Sequence, residues 1–247
     1  MKYIVTHRLS SFLIIPEGEQ LEIDGFIFLR DINGNNSATS IQTEVEAHTR
    51  EEAQIIARKR IAQFLSKITI LHDAKYTLLE FISVTDGKTT LVNKSIQARL
   101  NLGIDGGLVK DEYMKSIKNR RLRIRPLQHY SDGINSIDPF VQFRNFYLVL
   151  ENYLKKPNDI TTWILKKKPN VELRKDMKGI NITIFSWIRH RISHAYKKGG
   201  VSPHTKKKIT GLVPLSISNP EHVLLVQKHL PILRELAREI IRENEKI

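Results

Sequence analysis

The sequence predicts an α+β unit over residues 1–127 followed by an all-α helical bundle over residues 128–247, on three observations. Runs of β-branched and aromatic residues, with Asn-Gly and Asp-Gly turn pairs, fill the first part. From about residue 138 the apolar period becomes helical. Charge is also divided along the chain: residues 1–105 carry 12 Lys and Arg against 13 Asp and Glu, and residues 106–247 carry 28 against 13. The net charge of +14 therefore resides in the second part. Clustered lysine and arginine attract phosphate backbones through counterion release, so that part is expected to face a polyanion; solubility alone is the other reading of the surplus.

At 247 residues the chain is long enough for two cores, and 40% hydrophobic with 27% charged residues is the composition of a globular protein. No stretch reaches the roughly 18 apolar residues of a membrane span, and "MKYIVTHRLSSFLIIPEGEQ" lacks the order of a cleaved leader. A cytoplasmic protein without membrane contact is the expectation. There is no cysteine, which excludes disulfides, thiolate metal sites and cysteine nucleophiles.

The first part reads in order. "KYIVTHRLSSFLIIP" and "LEIDGFIFLRDI" are strand-like, and "INGNN" carries turn chemistry ahead of "SATSIQTEVEAHT", which predicts two or three antiparallel strands. In "TREEAQIIARKRIAQFLSKITIL", Thr49 followed by Glu52 makes a capping box, and Ala53, Ile56, Ala57, Ile61, Phe64 and Leu65 recur at helical spacing. "YTLLEFISVTDGKTTLVNKSIQARLNL" predicts a hairpin turning at Asp86-Gly87. Nothing in this unit resembles a phosphate loop, a carboxylate pair or a metal spacing. Recognition or scaffolding, through a protein or small-molecule ligand, is its expected role.

A looser stretch follows, ending in the run Arg121, Arg123 and Arg125. If residues 120–125 are extended, these three project from one face opposite Leu122 and Ile124. They then form either a solvated edge that discourages strand pairing or a strip that contacts RNA.

The second part predicts four or so helices. "DPFVQFRNFYLVLENYLKK" has Asp138 as cap, Pro139 at the first helical position, and Phe140, Phe143, Phe146, Tyr147 and Leu150 toward a core. "DITTWILKKK" predicts a shorter helix, and "VELRKDMKGINITIFSWIRHRISHAYKK" a longer helical segment interrupted or begun near Gly179. The last helix carries Leu233, Leu236, Ile240 and Ile241 on one stripe, with Pro231 marking a start or a kink. The lysine runs 166–168 and 206–208 read as solvated loops that could flank a polyanion.

"SWIRHRISHAYKKGG" holds the candidate chemistry. Ile184, Ile188, Ile192 and Ala195 fall on one apolar stripe; His190 and His194 share another flank. Gly199 and Gly200 suit a helix C-cap, which would place His194, Lys197 and Lys198 where cations gain from the helix dipole. Arg191, near the middle of the apolar stripe between Trp187 and Ile184, reads as paired or snorkelling at a helix interface, a structural rather than a catalytic residue. His190 and His194, four apart, could also ligate a metal, but no third ligand accompanies them, so no metal and no cofactor is expected.

"RHRISH", Arg189 to His194, resembles the catalytic motif of the HEPN superfamily, an arginine, a polar residue, three residues and a histidine. The order around it is similar too: an aromatic helix carrying a glutamate, the motif late in its helix, then a basic glycine-containing loop and an amphipathic closing helix. The resemblance covers about residues 138–247 and implies a HEPN-like bundle that dimerises and acts as a metal-independent endoribonuclease, a defence or toxin effector among the roles implied. It assigns Arg189 and His194 as catalytic, with His190 orienting the backbone or assisting proton transfer. Ser193, Tyr196, Lys197 and Lys198 would bind substrate beside them, together with the Arg121, Arg123, Arg125 strip. Arg189 and His194 are five positions apart, about 140° around a helix, which favours a cleft built by two copies. The alternative is a non-catalytic RNA-binding or dimerisation module.

Overall fold

The computed structural model describes residues 1–15, 19–30, 36–76, 78–92, 104–176, 179–195 and 214–247; the side chains of residues 10–12, 78–80, 104, 194 and 195 lie outside the description. The chain divides into two compact units, Met1–Ile124 and Arg125–Lys246. An α+β unit precedes a helical one, the predicted fold class.

In the first unit, β1 (Lys2–Ile14), β2 (Leu21–Ile23), β3 (Phe26–Arg30), β4 (Ser37–Glu46), β5 (Leu78–Thr85) and β6 (Thr90–Val92) form an antiparallel sheet in the order β2-β3-β4-β1-β5-β6. A short β7 (Ile104–Asp105) pairs parallel to the end of β1. Alternation places Tyr3 and Val5 of β1, Val45 of β4 and Val84 of β5 on the covered face, where α1 (Arg50–His72) lays Ala53 and Ala57 against them. Thr49 caps α1 by accepting from the Glu52 amide at 3.1 Å; Glu52 reaches back to the amide of His48, one residue before the cap. The predicted hairpin is present. Gly87 takes φ of 84°, and Asp86 accepts from the amides of Lys88 and Thr89 and pairs with Arg50. Those two amides, then Arg50, hold the Asp86 carboxyl below the usual carboxylate range.

The stretch read as loose contains α2 (Gly106–Ser116), capped by Asp105, which accepts from Leu108 N. Gly106 hides this helix from a propensity reading, yet the site demands it: a Cβ there would lie 2.7 Å from Leu21 and 2.8 Å from the Ile14 carbonyl oxygen.

The second unit contains α3 (Ile124–Asn135, opening at the boundary), α4 (Pro139–Tyr153), α5 (Pro157–Lys167), the hairpin β8 (Leu173–Lys175) with β9 (Asn181–Thr183), α6 (Ile184–Ala195) and α7 (Pro220–Glu245). Asp138 caps α4 at the amides of Phe140 and Val141, with Pro139 in the first turn. α4 packs along α7 and against α6. Phe140, Phe143, Phe146, Tyr147 and Leu150 are buried with Ile184, Phe185, Ile188, Ile192, Leu233, Leu236, Ile240 and Ile241. Burying an aromatic or aliphatic side chain of this size contributes about 1.5–3 kcal/mol, so this stripe packing stabilises the bundle.

Two expectations are corrected, and one is narrowed. Residues 173–175 and 181–183 pair as antiparallel strands rather than continuing a helix: Gly179 takes φ 76°, and β-branched Ile182 and Thr183 pair with Arg174 and Leu173. Of the two readings of Pro231, the start is excluded, since Pro231 lies inside a helix that begins at Pro220. Lys167 and Lys168 are not free loop cations: Lys167 pairs with Glu239 at 2.6 Å and with Glu243, and Lys168 with Glu235 at 3.1 Å. Three glutamates spaced by four on α7 thereby meet the end of α5. No helix among the described residues is long and apolar enough to cross a membrane.

Candidate functional site

The β8–β9 hairpin sets where α6 begins. Thr183 ends β9 fully buried and accepts from the Ser186 amide at 3.3 Å, an N-cap contact for the helix that follows. The Ser186 hydroxyl lies 3.1 Å from that of Thr183 and 2.9 Å from that of Tyr147 on α4. These three buried hydroxyls satisfy one another. Burial pushes the Tyr147 hydroxyl up to about 12, so it remains protonated and serves as a fixed donor or acceptor.

One turn further, Arg189 extends along the same side. Its guanidinium meets the Glu151 carboxylate of α4 at 2.8 Å and lies 5.9 Å from the Tyr147 ring centroid. Each partner of the pair keeps 29% of its side-chain exposure. The glutamate of the aromatic helix is therefore the group that orients the motif arginine. His129 of α3 belongs to this side too: Glu151 acts on it together with Asp132, Arg125 and Arg144, its Nε2 is enclosed without a hydrogen-bond partner, and burial holds its pKa below the usual histidine value. No sequence pattern marks His129, since it approaches Glu151 only through the packing of α3 and α4.

The other flank of α6 is different. Trp187 carries the guanidinium of Arg191 at 3.8 Å and that of Arg174, from β8, at 4.4 Å from its ring centroid. Arg174 donates from Nε to Glu172 at 2.6 Å. Glu172 is also 3.9 Å from Nε2 of His229, a buried α7 residue whose ring lies edge-on to Phe185. Burial depresses the His229 pKa. Arg191 thus stacks on a residue one turn earlier in its own helix.

The remaining site residues sort as follows. His190 and Ser193 are half-buried on α6. The backbone of position 194 lies in the last turn of α6, about 140° from Arg189 and within about 20° of Trp187, two turns earlier. Tyr196, Lys197 and Lys198, with Gly199, Gly200 and Lys206–Lys208, lie outside the described residues. Arg121 and Arg123 are exposed in a segment without regular structure, and Arg125 is exposed in the first turn of α3. The extended strip is thus corrected: buried Leu122 anchors the segment, and the Pro126-containing helix starts before a strand could form. Among the described residues no group of three or more His, Cys, Asp or Glu side chains is placed to hold a metal.

What the arrangement can do chemically is grip an oxyanion with a planar, permanently charged guanidinium whose orientation α4 has already set. No curated protein and no solved structure matches the chain. Residues 126–242 match a family described as methylamine utilization protein MauJ, so it is the helical unit, with both flanks of α6 inside it, that is similar to a known family.

Proposed function

We propose that the helical unit is a HEPN-type, metal-independent endoribonuclease whose site is completed by a second copy of the chain, and that its biological role is that of a defence or toxin effector. The observation that carries this reading is Arg189 of the RHRISH segment, held by Glu151 at 2.8 Å while about a third of its side chain stays open. A guanidinium oriented in advance stabilises charge that develops on a phosphate without reorganising during the reaction.

The chemistry needs little else. The 2′-hydroxyl of RNA attacks the adjacent phosphorus as its proton passes to a histidine, the bond to the 5′-oxygen breaks, and that oxygen takes a proton from a second histidine. The products are a 2′,3′-cyclic phosphate and a free 5′-hydroxyl. His194 suits both proton transfers because the ordinary pKa of histidine, about 6.5, lies near neutral pH. Since Arg189 and position 194 point about 140° apart on α6, one phosphate meets both most readily when they come from two copies related by a two-fold axis. His190 and Ser193 lie between the two and support the phosphate; Tyr196, Lys197 and Lys198 follow on the RNA path.

The MauJ description places that family in methylamine utilization and names no reaction, so it leaves this chemistry open. A second reading, an RNA-binding or dimerisation module without catalysis, is favoured by the same ion pair, because Glu151 neutralises the arginine. The two are separated by incubating mixed-sequence single-stranded RNA in EDTA with wild type and His194→Ala purified in parallel. Cyclic phosphate ends from the wild type alone support the enzyme. RNA binding without cleavage by either supports the module.

A further inference from the structure

The first unit holds a polar recess of about 220 Å³ that the proposed cleavage does not use. Phe26 of β3, Phe64 of α1 and Tyr113 of α2 stack in series at its base, with ring centroids 4.2 Å and 5.3 Å apart. All three rings are buried, so the chemistry of the recess comes from the polar groups that line it with them, Asp24, Arg60, Gln63 and Lys67. Arg60 stands 5.8 Å over the Phe26 ring and Lys67 5.9 Å over that of Tyr113, one cation at each end of the row. Seven positions bring both to one face of α1, two turns or about 10 Å apart, with Gln63 between them. Asp24 enters from the turn joining β2 to β3, where it and Gly25 take φ of 54° and 77°. These groups are only partly engaged. Arg60 donates from Nη1 to the Glu44 carbonyl at 2.8 Å and Lys67 meets the Tyr113 ring; among the described residues neither forms an ion pair, and the Gln63 amide forms no hydrogen bond. Asp24 accepts the Tyr113 hydroxyl at 2.7 Å, which occupies one of its two oxygens. Burial, then Asp24, holds the Tyr113 pKa above the usual tyrosine value, so this bond keeps its donor. A few placed polar groups over a rigid base are how small-molecule sites fix the orientation of a ligand. Cations two turns apart suit two anionic groups rather than one, and Asp24 repels any anion that does not also offer it a donor.

We propose that this recess binds a small dianion with a hydroxyl between its charged groups, a hydroxy-dicarboxylate or a phosphorylated hydroxy acid. One anionic group pairs with the Arg60 guanidinium and the other with the Lys67 ammonium. Gln63 donates to an oxygen between them, and the ligand hydroxyl donates to Asp24. The site lies wholly within the first unit and stands whether or not the helical unit cleaves RNA. It gives the recognition role expected of that unit a chemical class of ligand.

The test is titration calorimetry on the full chain with malate and 3-phosphoglycerate as probes. Succinate, which lacks the hydroxyl, and lactate, which has one charge, are the comparisons. Saturable binding of one or both probes is expected, about tenfold tighter than of succinate or lactate, and the tighter probe identifies the second anionic group. Arg60→Met and Lys67→Met should each weaken binding about tenfold, the worth of a charge-assisted hydrogen bond. Asp24→Asn, which tolerates the left-handed turn and removes the charge, should narrow the gap between malate and succinate. Lys59→Met, at an exposed α1 cation that does not line the recess, should leave binding unchanged. Thermal melting checks that each variant folds. No saturable heat from either probe at millimolar concentration overturns the site. Equal binding of succinate or inorganic phosphate, or an equal loss in Lys59→Met, overturns it too, because each marks a diffuse basic surface. Competition by mixed-sequence RNA that the Arg60 and Lys67 variants lose would assign the recess to nucleic acid and overturn the small-molecule ligand.

Discussion

Arg189 and Arg191 stand two residues apart on one helix and meet opposite surroundings. Arg189 faces a carboxylate, Glu151, and a buried tyrosine; Arg191 faces an indole that already holds a second guanidinium. Two positions are about 200° of helix, so the motif's alternating arginines are delivered to different neighbours by geometry alone. The first flank sets the direction of one charge by neutralising part of it. The second gathers two guanidinia on one indole, with Glu172 bound to one of them. A basic sequence motif thus places its two arginines in different surroundings, and what separates them is the side chain opposite each.

The largest test of this contrast is rate. Arg189→Ala should lower RNA cleavage by about 10²–10³ at saturating RNA, the usual cost of removing one preorganised donor to a transition-state oxyanion. Arg191→Ala should lower it far less, and equal losses in single-turnover assays would erase the distinction between the flanks.

The Arg189 flank can be loosened from behind. A Cβ at Gly133 of α3 would lie 2.6 Å from the Phe146 ring on α4, so Gly133→Ala should destabilise the helical unit by about 1–3 kcal/mol. Denaturant melts should show the loss, while the near-UV signal of the two tryptophans at low denaturant stays as in wild type. Tyr147→Phe removes the hydroxyl paired with Ser186 and should cost about 1 kcal/mol by the same melts. A neutral result would mean that Ser186 and Thr183 satisfy each other without it.

Each flank also holds a histidine whose pKa burial depresses, His129 on one and His229 on the other. The unfolded chain binds protons at these sites more readily than the folded one. Their contribution is therefore fully present above about pH 6.5, the ordinary histidine value, and is lost as pH falls toward the depressed folded values. Stability measured from pH 7.5 downward should fall through this window, and His229→Phe should flatten the fall if the Trp187 flank dominates it.

The smallest effect is expected at Glu151. Because the pair is partly exposed, Glu151→Gln should change stability by no more than about 1 kcal/mol. RNA affinity should rise and its salt dependence steepen, since Arg189 then lacks its intramolecular anion. Weaker binding would show that the carboxylate's orientation of the arginine outweighs its neutralisation.

Much of the scaffold is legible in the sequence. The Thr49 cap of α1, the Asp138-Pro139 start of α4, the Asp86-Gly87 hairpin and the Ile184, Ile188, Ile192 stripe each follow from a local pattern, and each is found in place. The elements that went unread had weak local signals. Strands of three residues, as in β8 and β9, are too short for alternation to show, and α2 and α3 carry glycines at positions 106 and 133 that depress helix propensity while meeting a close approach. Of the candidate site, RHRISH was visible; His129, the Arg174 stack and the partners of Lys167 and Lys168 were not.

By itself the sequence determined which residues bear charge, where the helical period begins and which face of α6 turns inward, because these depend on neighbours three and four positions away along the chain. Tertiary structure alone decided that Arg189 meets Glu151, 38 residues before it, and that Arg191 shares Trp187 with a residue from a hairpin. Such pairings are fixed by how α3, α4, α6 and β8 pack, and a side chain's chemistry depends on the charge and burial that packing brings to it.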